Sequence, residues 1–521
     1  MLFISQAYNV FHCGLQGCLE KSESFSTAFF LHPLLFSLQS VLFVFAINKD
    51  KLELSSLPYP LLAAAGIAFL LFSLSLLILK SRYKSAILTS FSFVLFFSYG
   101  RFYELWQNHY FLWPIMTFSW IVVSVWIWRC QKSLLKITRY LNALALLLVV
   151  ISASEISVFK FKKVMEERER RELTQIELKR ESNREERPNI YYIILDGYAR
   201  ADTLRNIYHY DNSSFITFLK NRGFYIAEKS QSNYAITSLS IASSLNMKYH
   251  DHLQNFSELY EMIEENKVVR FLKNHGYSYT HFNTVNGVLR SSRYEDRNVS
   301  CSDDHDLYRF LLFMYRMSPF IIFEHLFSPS FDFMRRGIRK SVLCTFSELG
   351  KIPYLERPQF VFVHLVSPHP PFVFDRDGRM NSNVKFRLKG NVWDHREDYL
   401  DQLIYITKKT MIVIDEILKR EKVRPIIILQ SDHGPAIRSD REPPDALFIQ
   451  ERMRNFNAYY LPESLEKLLY PSISPVNSFR FVFDHYFGAK RGLLKDEAYF
   501  SRYASPFVFQ LASDPLYRRS K

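Results

Sequence analysis

Five long apolar runs fill the first 160 residues: Phe29 to Ile47, Tyr59 to Leu79, Ser85 to Tyr99, Tyr110 to Trp128 and Tyr140 to Phe159. None contains Lys, Arg or Asp, and Glu155 is their single acid. A helix needs about 20 such residues to cross a bilayer, so the pattern predicts an N-terminal bundle of five spans, or four if the short third run does not cross. The first run begins late and lacks both a basic leading segment and a small-residue cleavage site, which argues against a cleaved signal peptide. Beyond Phe159 the pattern changes. Residues Lys160 to Arg187 mix acids and bases without Gly or Pro, the pattern of a solvated helix laced with i, i+4 pairs. The expected organisation is a transmembrane anchor at 1–159, a charged helical stalk at 160–187 and a large domain at 188–521.

In that domain the apolar positions run continuously rather than alternating. PNIYYIILDGY (Pro188 to Tyr198), the run ending HLVSPHPPF (His364 to Phe372) and PIIILQSDHG (Pro425 to Gly434) each stop at a side chain that can ligate a metal. Continuous runs suit strands covered on both faces, as in a parallel sheet flanked by helices. Further strand candidates are Gly223 to Glu228 and Tyr277 to Asn283. Helical patterns lie at Ser213 to Gly223, Glu258 to Gly276 and Asp398 to Glu421, the first two ending in NRG and NHG as C-caps do. This alternation predicts an α/β domain built on a doubly wound sheet. The aromatic segment Arg309 to Phe333 is too broken for a span. It fits a membrane-surface element, a lipid-facing groove or plain domain core.

Charge sets the orientation. The formal net charge of +14 fits nucleic acid or an anionic membrane, and the apolar N-terminus favours the membrane. The glutamates of 160–187 also speak against nucleic-acid binding by its arginines. With five spans and a cytoplasmic N-terminus, inside loops carry Lys80, Arg82, Lys84, Arg129, Lys132, Lys136 and Arg139, against Lys49, Lys51 and Arg101 outside. The positive-inside rule then places everything after Phe159 outside. Lys160, Lys162 and Lys163 run against it, diluted by the glutamates that follow. The five cysteines contain no CxxC pair, and Cys301 and Cys344 could pair if the domain is extracytoplasmic.

In a doubly wound sheet, ligands gather at the carboxyl ends of the strands. Three strand ends would deliver Asp196, His364 with His369, and Asp432 with His433 to one crevice. A lone His at a strand end is more often a core group, but three of them beside two such acids are hard to explain that way. Asp375 and Asp377 in FDRDG read as a turn. Between the first two ends lies SNYAITSLSIASSLNM (Ser232 to Met247), a small, hydroxyl-rich helix candidate. Thr237 or Ser238 would sit near its N-terminus, where free amides and the helix dipole favour an anionic phosphate. A hydroxyl beside a divalent metal loses its proton more readily and becomes a nucleophile.

IILDG, a threonine at a helix start, HLVSPHPPF and LQSDHG in this order resemble the alkaline phosphatase superfamily. The likeness is to its membrane-anchored sulfatase-like branch, which includes lipoteichoic acid synthase and the lipid A phosphoethanolamine transferases, and it covers Pro188 to about Pro462. It implies an extracytoplasmic catalytic domain on a five-span anchor, in the bacterial cytoplasmic (inner) membrane. Carried over by position, Asp196, Thr237, Asp432 and His433 are the metal ligands, Thr237 is the nucleophile, and His364 and His369 are substrate-handling histidines. That donor set suits one Mn²⁺, Zn²⁺ or Mg²⁺ ion. A second ion is less well provided for, because the histidine expected soon after DHG is missing and His485 reads as core. The implied reaction moves a phosphoethanolamine- or phosphoglycerol-type head group from a membrane lipid to an envelope glycan or lipid, through a phosphothreonine. The absence of a CxPxR or SxPxR formylglycine signature demotes sulfate-ester hydrolysis. A sulfatase- or phosphodiesterase-type hydrolase on the same fold is the alternative.

Overall fold

The computed structural model describes residues 31–49, 52–106, 109–178, 187–250, 253, 255–285, 287–289, 292–301, 305–320, 332–353, 355, 357–381, 393, 395–437 and 445–512. The chain forms two compact units. One is Met1–Lys163 with Asp306–Phe323, and the other is Val164–His305 with Glu324–Lys521.

The first unit is helical. The apolar runs become helices His32–Ala46, Pro58–Leu79, Arg82–Trp106, His109–Arg129 and Leu135–Leu178. Among the described residues, four helical stretches are long and apolar enough to cross a membrane: Leu54–Leu79, Arg82–Tyr103, Phe111–Arg129 and Leu135–Lys162. His32–Ala46 is apolar but only 15 residues long. The third run is not short after all, because its helix extends through Arg82, Tyr83 and Lys84 at one end and Gly100 to Trp106 at the other. Apolar letters alone stop before the helix does. The fifth helix continues without a break to Leu178, so residues 160–178 are helical; 179–186 lie outside the described residues.

The aromatic segment Arg309 to Phe333 divides. Helix His305–Arg316 places Phe310 fully buried among Val41, Val44 and Phe45, with the Phe45 and Phe310 rings 5.5 Å apart and edge to face. The Gly100 amide donates to Met317 O at 3.1 Å, and a Cβ at Gly100 would lie 2.5 Å from Met317 Cα. Residues 309–320 thus pack with the apolar helices, because Phe310, Phe313, Met314 and Met317 share one apolar face, whereas Asp332 and Phe333 begin helix Asp332–Leu349 of the second unit. Residues 321–331 lie outside the described residues.

The second unit is built on a seven-stranded sheet ordered β2-β7-β6-β1-β5-β3-β4. Its strands are β1 (Ile190–Leu195), β2 (Tyr225–Ile226), β3 (Ser278–Asn283), β4 (Arg297–Ser300), β5 (Gln359–Leu365), β6 (Ile426–Gln430) and β7 (Asn457–Tyr460). β6, β1, β5, β3 and β4 run parallel. β7 pairs antiparallel with β6 and with β2, so the sheet is mixed at one edge. Successive side chains of a strand point to opposite faces. Tyr191, Ile193 and Leu195 therefore enter one core, and Ile190, Tyr192 and Ile194 the other. That two-sided burial explains why the strands read as continuous apolar runs, each fully buried aliphatic contributing roughly 1.5–3 kcal/mol.

The helical pattern at Glu258 to Gly276 resolves into two helices, Phe256–Glu264 and Lys267–Asn274. The break is a cap: the Asn266 side chain accepts from Val269 N at 2.8 Å, satisfying a free amide of a new helix start. Cys301 and Cys344 form a disulfide with Cα atoms 5.7 Å apart, joining the end of β4 to helix Asp332–Leu349. A hairpin of β8 (Tyr499–Arg502) and β9 (Ser505–Leu511) forms a separate two-stranded sheet.

Candidate active site

β1 lies between β5 and β6 in parallel register, so the residues that follow these three strands emerge side by side. Asp196 comes directly after β1, and its amide donates to Leu365 O at the end of β5 (3.0 Å). The His369 amide returns the link to Asp196 O at 3.0 Å. Asp432 and His433 follow β6, and Asp432 Oδ1 accepts from Gly197 N at 3.2 Å. Gly197 has φ +75°, the left-handed region that glycine adopts without strain. Gly434 is needed for a different reason: a Cβ there would lie 2.1 Å from Glu451 O.

Helix Thr237–Asn246 begins at Thr237, and no side chain caps it, which leaves first-turn amides available to an anion. Its small hydroxyls do structural work. Ser240 Oγ donates to Asp432 O at 2.7 Å, and Ser232 Oγ donates to the same carbonyl. Ser431 Oγ donates to His433 O at 2.5 Å. Together they fix the SDHG turn against the helix that carries Thr237. Ser238 is buried, whereas Thr237 is only half-buried.

The centre of the site is His433, which is fully buried. Its Nδ1–H donates to Gly434 O at 2.9 Å, so Nε2 carries the lone pair. Around Nε2 lie Thr237 Oγ1 at 2.9 Å, Asp432 Oδ2 at 3.1 Å and Asp196 Oδ1 at 3.8 Å. Both of those carboxylate oxygens are buried and have no hydrogen-bond partner. Two buried, unpartnered carboxylate oxygens thus converge on the imidazole nitrogen, an arrangement that calls for a cation. The donor set of oxygens with one nitrogen fits a divalent metal held by Asp196, Thr237, Asp432 and His433. His364 also lies in the cluster, with ligand-type atoms of Asp196, His364 and Asp432 all within 4.8 Å of one another. However, His364 Nδ1 accepts from Val288 N at 3.3 Å, which leaves Nε2–H to donate to Asp196 Oδ2 at 3.2 Å. His364 therefore orients the carboxylate.

Electrostatics agree with this division. Burial pushes Asp196 up, but His369, His364 and His433 overcome it and hold the carboxyl below its usual range. Burial, and then the charge of Asp196, push Asp432 up to about 7. Burial and the Arg452 charge keep His433 well below the ordinary imidazole value. Burial likewise lowers His369, whose Nδ1–H donates to Pro370 O at 2.7 Å and whose ring stands edge-on to Trp393 at 4.8 Å. His485 lies outside this cluster, its ring tilted at 49° against Phe481 with centroids 4.5 Å apart.

Three side chains at the site escape sequence reasoning. Arg452 is 2% exposed and donates to His433 Nε2, Gly434 O and Ala235 O at 2.8, 2.9 and 2.7 Å. Trp393 packs over Gly197 and under the Arg452 guanidinium. Tyr503, in the turn of the β8–β9 hairpin, has its phenol against Arg452 with Asp196 and Asp432 nearby. Arg452 lies in the short helix Ala446–Met453 and Trp393 and Tyr503 in turns, and no spacing rule links any of them to the strand ends.

Residues 188–470 match the sulfatase family model. A search of curated proteins finds no match. Among solved structures, the chain is similar to the C-terminal periplasmic domain of EcEptC from Escherichia coli in complex with Zn, at 11% identity and TM-score 0.41, covering 63% of this chain and 93% of that one. It is similar to the integral membrane lipooligosaccharide phosphoethanolamine transferase A of Neisseria meningitidis at 11% identity and TM-score 0.38, covering 86% and 94%. It is also similar to the lipoteichoic acid synthase LtaP of Listeria monocytogenes at 13% identity and TM-score 0.38, covering 63% and 81%.

Proposed function

Because the chain belongs to the sulfatase family, its model matching more than half of the sequence, we propose that it is a membrane-anchored, metal-dependent phosphotransferase. It moves a phospho-head group of the phosphoethanolamine or phosphoglycerol type from a lipid donor to an envelope glycan or lipid. Residues 1–159 are its anchor in the bacterial cytoplasmic membrane, 160–187 its stalk, and 188–521 the extracytoplasmic catalytic domain. The apolar helices support the anchor, and the Cys301–Cys344 disulfide fits an oxidising compartment. The observation that carries the catalytic reading is the convergence of Asp196, Asp432 and His433 lone pairs beside the Thr237 hydroxyl.

A Mn²⁺, Zn²⁺ or Mg²⁺ ion held there would supply Lewis acidity, lowering the threonine pKa and stabilising charge on the phosphoryl oxygens. Thr237 Oγ1 attacks phosphorus in line; its bond to phosphorus forms as the bond to the lipid alkoxide breaks. The uncapped helix start steadies the added negative charge. His369, whose Nδ1–H donates to Pro370 O so that Nε2 carries the lone pair, takes the threonine proton and returns it to the alkoxide. His364 holds Asp196 in place. A glycan or lipid hydroxyl then displaces Thr237 in the reverse sense.

The test is to incubate the purified full chain with phosphatidylethanolamine and phosphatidylglycerol and to map the Thr237 peptide by mass. A head-group adduct on Thr237 is expected, and it should be absent in Thr237→Ala. Undiminished turnover by Thr237→Ala would overturn the reading, and release of free head group with no acceptor product would favour a hydrolase.

A further inference from the structure

We infer that Arg452 and Tyr503 form an anion clamp that grips the donor phosphate beside the metal, Arg452 taking a non-bridging oxygen and Tyr503 closing the outer side. This rests on the phosphotransfer reading of the site. Arg452 is aimed rather than mobile. Nε and Nη1 are fixed on the carbonyls of Ala235 and Gly434, the residues that precede Ile236–Thr237 and follow His433. Only Nη2 faces the reacting centre, where it donates to His433 Nε2 at 2.8 Å.

That acceptor is the same lone pair a bound cation would take. One lone pair cannot serve both. Loading the site therefore releases a buried, charged N–H donor, and leaving such a donor unpaired is costly. The Thr237 hydroxyl is 2.9 Å from the same nitrogen, so the phosphoryl group that Thr237 attacks comes within reach of the freed donor. Guanidinium-to-phosphate bonds are among the stronger hydrogen bonds available.

Tyr503 supplies the outer wall from outside the family-matched region. Its phenol lies against Arg452, while the residue as a whole is 66% exposed. It presents one face to the site and the other to an arriving substrate. The hairpin that carries it is pinned: Tyr499 N donates to Asn233 O at 2.9 Å, Tyr499 stacks on Tyr234 at 5.7 Å, and Phe500 meets Phe448 edge to face at 5.7 Å.

The experiment titrates the Mn²⁺-loaded full chain in detergent with inorganic phosphate, followed by calorimetry, with metal content and Tm measured on the same samples. Tyr503→Phe removes one hydroxyl from an exposed side chain and should weaken phosphate binding about fivefold. Arg452→Lys should weaken it at least about tenfold. Metal content should stay at the wild-type value in Tyr503→Phe, a result that a merely structural role would not combine with lost phosphate affinity. Wild-type phosphate affinity in either Tyr503→Phe or a folded, metal-loaded Arg452→Lys overturns the clamp. If Arg452→Lys loses metal or fails to fold, Tyr503→Phe alone decides. Thr237→Ala separates the two ideas: its loss of adduct with unchanged phosphate affinity in Tyr503→Phe sinks only the clamp, whereas its undiminished turnover sinks the phosphotransfer reading itself.

Discussion

His433 Nε2 stands 3.1 Å from Asp432 Oδ2, and because the only N–H of the ring is committed to Gly434 O its lone pair accepts from Arg452 Nη2 at 2.8 Å. Asp432 Oδ2 itself has no hydrogen-bond partner, and a buried acceptor in that state is costly until a proton or a metal meets it.

The serine links to this turn set up the first prediction. Ser240→Ala removes the 2.7 Å bond to Asp432 O but leaves the ligands in place. Because Ser232 Oγ still donates to that carbonyl, we expect roughly 0.5–1.5 kcal/mol of lost stability and about 10–100-fold weaker metal binding, read by thermal unfolding and by metal titration. Unchanged metal affinity would show that the turn is held without that serine.

Backbone crowding gives the second. Gly434→Ala would put a Cβ 2.1 Å from Glu451 O, a backbone atom that cannot swing aside. The turn must shift, and we predict destabilisation of more than about 2 kcal/mol, or at least about 3 °C in Tm for a domain of this size. A wild-type Tm would mean that the loop tolerates the displacement.

Proton competition sets the third. Burial and the Asp196 charge raise the Asp432 carboxyl to about 7, so below that pH the metal-free site holds a proton that an incoming cation must displace. Metal affinity should then fall by on the order of tenfold per pH unit as pH drops below about 7, and it should level off above. Calorimetry in buffers of different ionisation enthalpy should show proton release on binding at pH 6. A flat affinity from pH 5.5 to 8 would contradict this.

Much of this site was legible in the letters, for a physical reason. β1, β5 and β6 are buried on both faces, so their apolar runs are unbroken, and the first polar residues after them mark the strand ends where Asp196, His369 and Asp432 stand; His364, one residue before the end of β5, is the exception. Thr237 was legible because small hydroxyl residues crowd the helix behind it. Arg452, Trp393 and Tyr503 were not, since each reaches the site from a segment whose own periodicity says nothing about its destination. The pairing of β7 antiparallel to β6 was hidden in four residues, NAYY, too few to show a direction. The helix break at Asn266 depended on one cap. The aromatic helix His305–Arg316 could not be assigned to the apolar helices, because its partners Val41 and Phe45 lie more than 250 positions earlier.

The disulfide supports the fourth prediction. It closes a loop with a sequence separation of 43, for which chain entropy gives about 4 kcal/mol of stabilisation. Replacing both Cys301 and Cys344 by Ser should lower denaturant resistance by an amount of that order without changing metal content. Equal stability with and without reductant would show that the bond contributes nothing.

The most direct measurement is a titration of the chelator-stripped full chain with Mn²⁺ and with Zn²⁺, run beside Asp196→Asn, Asp432→Asn and His433→Ala. The account predicts one tight ion per chain in the native protein. It predicts losses of more than about a hundredfold in each variant, beyond what outer-shell changes produce. Native-like binding in any two of the three, or no stoichiometric ion in the parent chain, would contradict it.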